Sequence, residues 1–309
     1  MKNSNICHLL GIALVMAFVI GLPGQIRAES ITDENGTVID FERPFTRIIS
    51  LYPAHTENLF TLGLDEQIIG VSKNDTYPEQ AASKPKFHYR EDPEKFMAAR
   101  PDLVLVRPMI VHGYPDLIAK LNLAGITVVS LQPSSIEETY DYWRVLGKLT
   151  GRTSEAETMI DHFKNKLAEL RGRTSGIADR ERQKVYFEAI HKKMKTFSPT
   201  SISIFVLEAA GGINIAGDAE PVRNTNIAYY GKEKILAKAL AIDVFLAQSG
   251  KMNRISSELL KNEPGFSAIK AMQNNHIYIV DETVVSRPTM RLLSGIEEIQ
   301  RVLYPQVYE

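Results

Sequence analysis

The 309-residue sequence contains one cysteine and one tryptophan, and its 36 Lys and Arg against 37 Asp and Glu leave a net charge of -1. A single Cys excludes an intramolecular disulfide. Cys7 precedes the apolar run 9–20 instead of following it, so it is not placed to become the acylated first residue of a mature lipoprotein. Removal of the leader would leave no thiol for a thiolate metal site or a nucleophile, a composition suited to an oxidising compartment. The charge balance argues against bulk nucleic-acid binding. Catalytic signatures are missing as well: there is no HExxH, no GxSxG elbow, no phosphate-cradling P-loop and no dinucleotide fingerprint. The chain is therefore expected not to be an enzyme. A hydrolase assembled from scattered residues, for example His55 with Glu57, would be exposed by turnover of a bound ligand. A structural or adhesive protein would show no ligand-induced rise in melting temperature.

What is present begins with a secretory signal. Residues 1–28 combine Lys2, the apolar run, and Gly21, Pro23 and Gly24 ahead of Ala28. The run is shorter than the roughly 20 apolar residues that span a bilayer. Cleavage is expected after Ala28 although Ile26 is large for its place, so that the mature protein starts at Glu29 in the periplasm; the alternative is an uncleaved anchor.

Ser154 to Arg171 then reads as one long helix, with Ala156, Met159, Ile160, Phe163, Leu167 and Leu170 along one stripe. Ser154 with Glu157 forms a capping-box pattern, and Gly172 is a stop signal. On either side lies a series of alternating strands and helices, which predicts a strut between two α/β lobes; the alternative is a crossover helix inside a single sheet. The expected division is a signal peptide (1–28), a first lobe (29–150), the linking helix (151–174) and a second lobe (175–309). The first lobe opens with a hairpin turning at Asn35-Gly36 and continues with strands near 47–51, 68–71, 103–106 and 127–131. The second has strands near 185–190, 213–216, 244–247 and 277–280. Each lobe should hold a mainly parallel sheet flanked by helices, and ligands bind such sheets beyond the carboxyl ends of the strands.

The segment Arg47-Ile-Ile-Ser-Leu-Tyr-Pro-Ala-His-Thr-Glu57 with Leu62-Gly-Leu64 resembles the opening of the cobalamin and iron-siderophore periplasmic binding proteins. Arg100-Pro-Asp-Leu-Val104, Ala124-Gly-Ile-Thr-Val128 and Glu208-Ala-Ala-Gly-Gly-Ile-Asn214 match later landmarks of that family in order. The resemblance implies two lobes bridged by a rigid helix, little hinge closure, and a metal chelate held between the lobes. It further implies delivery to an ABC permease dimer with its ATPase subunits. No resident cofactor is implied, and the transported ligand would contain iron or cobalt.

Candidate ligand-binding residues at strand ends are Tyr52, His55, Tyr89, Arg90, Arg107, His191, Arg223 and Arg287. Arginine forks suit anionic chelates, which favours a ferric siderophore, with cobalamin next and haem third. Imidazoles can ligate iron or cobalt or act as plain hydrogen-bonding rings, and the tyrosines can stack on a macrocycle. Trp143 reads as core. By the same resemblance Glu233 is carried over as a permease-docking carboxylate, and Asp116 is its counterpart on the first lobe. Either can instead serve the positive end of its own helix. The protein is expected to be a monomer that binds no nucleic acid.

Overall fold

A computed structural model describes residues 29–222 and 225–308. The expected signal peptide lies outside the described residues, and so does Arg223.

In chain order the first lobe contains strands β1 (Glu29–Thr32), β2 (Val38–Phe41), β3 (Ile48–Ser50), β4 (Ile68–Ser72), β5 (Lys86–Phe87), β6 (Leu103–Val106) and β7 (Thr127–Ser130). Its helices are α1 (Pro53–Thr61), α2 (Glu79–Ser83), α3 (Pro93–Ala99), α4 (Pro108–Gly113), α5 (Pro115–Leu123) and α6 (Ile136–Thr150). β1 and β2 form a separate antiparallel hairpin. Its turn passes through Gly36 at φ 76°, a conformation that glycine adopts without steric cost. The other strands form one parallel sheet in the order β5-β4-β3-β6-β7. The chain builds outward from β3 to β5, then returns to the other side for β6 and β7. The order therefore reverses between β3 and β6, and the crevice beyond their carboxyl ends is where a sheet of this kind receives a ligand.

Helix α7 (Thr153–Thr174) joins the lobes. Its 22 residues span about 33 Å at about 1.5 Å per residue. All six residues of the expected stripe are buried. They contribute to one apolar cluster that continues from Trp143 and Leu146 of α6 to Ile296 and Ile299 near the end of the chain. The helix ends differ from expectation. Ser154 makes no cap; its carbonyl accepts from Thr158 Oγ1, and Glu157 pairs with Arg144 at 2.8 Å. Gly172 lies inside the helix, which continues because its last turn is packed: Arg173 pairs with Glu297 at 3.1 Å and Thr174 is buried.

The second lobe contains β8 (Lys184–Ile190), β9 (Lys195–Phe197), β10 (Ile213–Asn214), β11 (Glu220–Pro221), β12 (Ile227–Tyr229), β13 (Val244–Ser249) and β14 (Ile277–Asp281). Its helices are α8 (Ile202–Ala209), α9 (Lys232–Ala237), α10 (Ser257–Lys261), α11 (Lys270–Gln273), α12 (Glu282–Val285) and α13 (Leu292–Leu303). β10, β8, β13 and β14 run parallel, as alternation with helices requires. The strands β9, β12 and β11 extend this sheet as an antiparallel ribbon. The ribbon strands are two or three residues long, too short to show a period in the sequence.

Candidate functional site

The loops at the carboxyl ends of β3, β4, β5 and β6 enclose a hollow of about 110 Å³, lined by Leu51, Tyr52, Asn74, Phe87, Tyr89, Arg107 and Met109 among others. A larger hollow of about 680 Å³ lies between the lobes. Lys73, Asn74 and Thr76 line it from the first lobe, and Ser249, Lys251, Arg254, Asp281, Glu282 and Arg287 from the second. Asn74 borders both, so the two meet in one cleft with an end rich in aromatic and apolar side chains and a charged end.

Arg107 follows β6 directly and its guanidinium lies 4.6 Å from the centre of the Tyr52 ring, which follows β3. The two residues flank the point where strand order reverses. Nε of Arg107 donates to Gln132 Oε1 at 2.8 Å, which fixes the plane of the fork. Among the described residues Arg107 has no carboxylate partner within ion-pair distance, so its charge is available to a guest. Tyr89 stacks on His88 with centroids 4.2 Å apart and tilts against Tyr114 at 4.7 Å, which makes a rigid aromatic wall. Arg90 turns outward: it is exposed, and its Nε donates to the Tyr114 hydroxyl at 2.8 Å beside a surface hollow of about 340 Å³ on the far side of Tyr89.

His55 does not reach the cleft. It is fully buried under Tyr52, with both ring nitrogens engaged: Nε2 is 3.0 Å from the Val106 carbonyl and Nδ1 is 2.8 Å from the Tyr142 hydroxyl. The carbonyl can only accept, so Nε2 carries the proton and Nδ1 accepts from Tyr142. Burial pushes its pKa down to about 3, leaving a neutral structural ring with no lone pair to offer a metal. His191 is also occupied. Its Nδ1 lies 3.1 Å from buried Glu188 and its Nε2 3.4 Å from Glu263, and the hydrogen bond to Glu188 is the main force raising its pKa.

Arg287 lines the wider hollow, yet its charge is largely spent on Glu57 at 3.2 Å and Glu282 at 3.8 Å. Glu57 also accepts from Arg291 at 3.5 Å. Burial raises the Glu57 pKa, and Arg291 and Arg287 oppose the rise. The expected four-arginine cluster is therefore not assembled among the described residues, because one arginine points outward and another closes an ion pair between lobes. Two cations that the sequence reading passed over, Lys251 and Arg254, do face the cleft from the turn after β13. Asn253 pins that turn: it is 4% exposed, its Nδ2 donates to the Gln248 carbonyl at 2.8 Å, and its Oδ1 accepts from the His191 amide at 2.9 Å. The signal available in the sequence was Ser249-Gly250, which ends a strand as Ser50 does ahead of Tyr52.

Asp116 and Glu233 stand in the first turns of α5 and α9, on different lobes, and both are exposed. Among the described residues no group of three His, Cys, Asp or Glu side chains could hold a metal ion.

The sequence profile described as "Periplasmic binding protein" matches residues 48–284. An ABC transporter substrate-binding lipoprotein of Bacillus subtilis is 26% identical over 322 residues, covering 100% of this chain and 99% of its own length. A vitamin B12-binding protein of Vibrio cholerae is 25% identical over 259 residues, covering 83% of this chain and 88% of its own. Among solved structures, a possible iron-binding periplasmic solute-binding protein of Staphylococcus epidermidis has a TM-score of 0.74 at 28% identity, covering 85% of this chain and 100% of its own. With a profile match across most of the chain and a cleft between two α/β lobes, the chain belongs to the periplasmic binding protein family.

Proposed function

We propose that this protein is the substrate-binding component of an ABC importer. It captures a metal chelate between its lobes in the periplasm and delivers it, unaltered, to an inner-membrane permease dimer and its ATPase subunits. The observation that carries this reading is the Tyr52–Arg107 pair at the switch point of the first sheet, walled by Tyr89 and Phe87 in a hollow that meets the wider, second-lobe-lined one at Asn74. Aromatic faces with one oriented guanidinium suit a bulky, partly apolar guest with localised polar groups. The iron or cobalt belongs to the cargo, and no resident cofactor is needed.

Within the chelates, a corrinoid ranks first. The ferric siderophore favoured by the sequence rested on four convergent arginines; one of these is neutralised in the structure and another points away. The similarity to a vitamin B12-binding protein supports the same order. A ferric siderophore is the second reading, supported by Lys251 and Arg254, which line the wider hollow from the second lobe. Native purification followed by mass spectrometry, an absorption spectrum, and calorimetric titration with cyanocobalamin, ferric enterobactin and haemin tests the proposal. Tight binding of cyanocobalamin is expected. Tight binding of ferric enterobactin alone would select the second reading, and failure to bind any chelate would overturn both.

A further inference from the structure

The loop that follows β4, residues 73–77, supplies Lys73 and Asn74 to the cleft and ends at Tyr77, whose ring lies 4.5 Å from the guanidinium of Arg291 on the other lobe. At its middle is a carboxylate that never meets the cleft. Asp75 is 2% exposed and appears in the lining of neither hollow. One of its oxygens accepts from the Ser72 hydroxyl, the other from the Thr56 hydroxyl and from the Ser72 amide at 3.2 Å. Thr56 stands in α1 four residues beyond Tyr52, and its amide donates to the Tyr52 carbonyl at 3.2 Å. Ser50 Oγ lies 2.7 Å from Thr56 Oγ1 and 3.1 Å from the same carbonyl, closing the network around the backbone that carries Tyr52. From the other side Lys86 Nζ donates to the Asp75 carbonyl at 3.1 Å.

An ionised carboxylate accepts from every direction and donates nowhere, which matches three donors arriving from two elements, Ser72 at the end of β4 and Thr56 in α1. Asparagine, nearly the same shape, would set an NH2 group against one of those donors. A buried carboxylate is also an expensive way merely to fill space, since desolvation disfavours it. We infer that Asp75 is a positioning residue of the ligand cleft: by clamping the loop after β4 to the first turn of α1, it sets the spacing between Asn74 and Tyr52. Tyr77 on Arg291 fixes the far end of the same loop, so the clamp holds a segment that touches both lobes. The inference rests on the cleft being the chelate site.

The test measures chelate affinity and melting temperature separately in the full mature chain, with cyanocobalamin, ferric enterobactin and haemin as probes. Wild-type binding of none of them would overturn the functional reading, and this inference with it. Given wild-type binding, Asp75→Asn is expected to weaken affinity by at least about tenfold, the scale of one hydrogen bond to a charged group. Thr56→Val should do the same and Thr56→Ser, which keeps the donor, should restore it. The double variant Asp75→Asn with Thr56→Val should bind no more weakly than Asp75→Asn alone, because both remove one clamp. A residue that only supports the fold would lower the melting temperature and leave the affinity of the folded fraction unchanged, so wild-type affinity in folded Asp75→Asn overturns the proposal. Should that variant not fold, wild-type affinity in both Thr56→Val and Ser72→Ala overturns it equally.

Discussion

His55 is the side chain whose chemistry is most altered by its place. An exposed imidazole takes up a proton near pH 6.5, whereas the folded protein keeps this one neutral down to about pH 3. Between those values the unfolded chain binds one more proton than the folded one. The contribution is therefore complete above the unfolded pKa and is lost on acidification, at about 1.4 kcal/mol per pH unit. His191 works in the opposite sense. Its folded pKa is raised, so its contribution is complete below the unfolded pKa and fades as pH rises through the folded one. Urea unfolding of His55→Gln at a series of pH values from about 4 to about 5.5 should show a stability slope shallower than wild type by about one proton, whatever the overall loss. An unchanged slope would mean that His55 is protonated in the folded state. Arg107, by contrast, is proposed to serve the ligand. Arg107→Ala should weaken chelate binding by about tenfold in calorimetry with little change in melting temperature, since its hydrogen bond to Gln132 is partly exposed.

Among the elements, α6 and α7 approach each other closely at Gly147. A Cβ there would lie 2.7 Å from Ala156 Cβ and 3.0 Å from the Arg152 carbonyl, neither of which is the end of a flexible chain. Replacing glycine in a helix recovers up to about 1 kcal/mol of backbone propensity. Overpacking costs about 1 to 3 kcal/mol, so for a branched side chain the steric term wins. Gly147→Val should lower the melting temperature in calorimetry, and a rise would show that the helices can part freely. Packing at the other end of the helix explains why α7 overruns Gly172. Local propensity ends a helix at glycine only where nothing beyond it is held, and here Gln300 Nε2 donates to the Leu170 carbonyl at 2.7 Å while Arg173 pairs with α13.

For the whole molecule, the lobes are tied by more than α7. The Pro288 carbonyl of the second lobe accepts from Asn58 Nδ2 at 2.9 Å and from Trp143 Nε1 at 3.2 Å, and nearby Glu57 faces Arg287 and Arg291. Removing one partner of a buried ion pair costs about 3 to 5 kcal/mol, less where the other partner reaches water as Arg291 does. Glu57→Ala should destabilise the protein by about 2 kcal/mol or more in urea unfolding, and full stability would show that the ion pairs of Glu57 with Arg287 and Arg291 do not hold the lobes together. At the opposite end of function, Glu233→Ala, and more severely Glu233→Ala with Asp116→Ala, should lower uptake and permease-stimulated ATP hydrolysis while chelate affinity in solution stays unchanged. Charges at a rim govern encounter and orientation, not the pocket. Normal transport by the double variant would remove both carboxylates from the docking surface.

Much of this architecture is legible without coordinates because it is periodic or local. The stripe from Ala156 to Leu170 implies a long helix with one buried face, alternation implies parallel sheets, and Asn35-Gly36 implies a hairpin, since each depends on residues a few positions apart. The aromatic and basic strand-end segments after β3, β5 and β6 likewise mark the cleft, because a parallel sheet presents those ends together. What periodicity cannot carry is pairing across the chain. His55 and Arg107 look alike as candidates; only folding puts Tyr142 and the Val106 carbonyl on the first and, among the described residues, leaves the second without a carboxylate. Arg287 reads as a ligand contact until Glu57, 230 positions away, takes its charge. Asp75 reads as a loop residue until Thr56 and Ser72 close around it. A buried charge takes its role from the partner that tertiary packing brings within about 3 Å, and no local pattern names that partner.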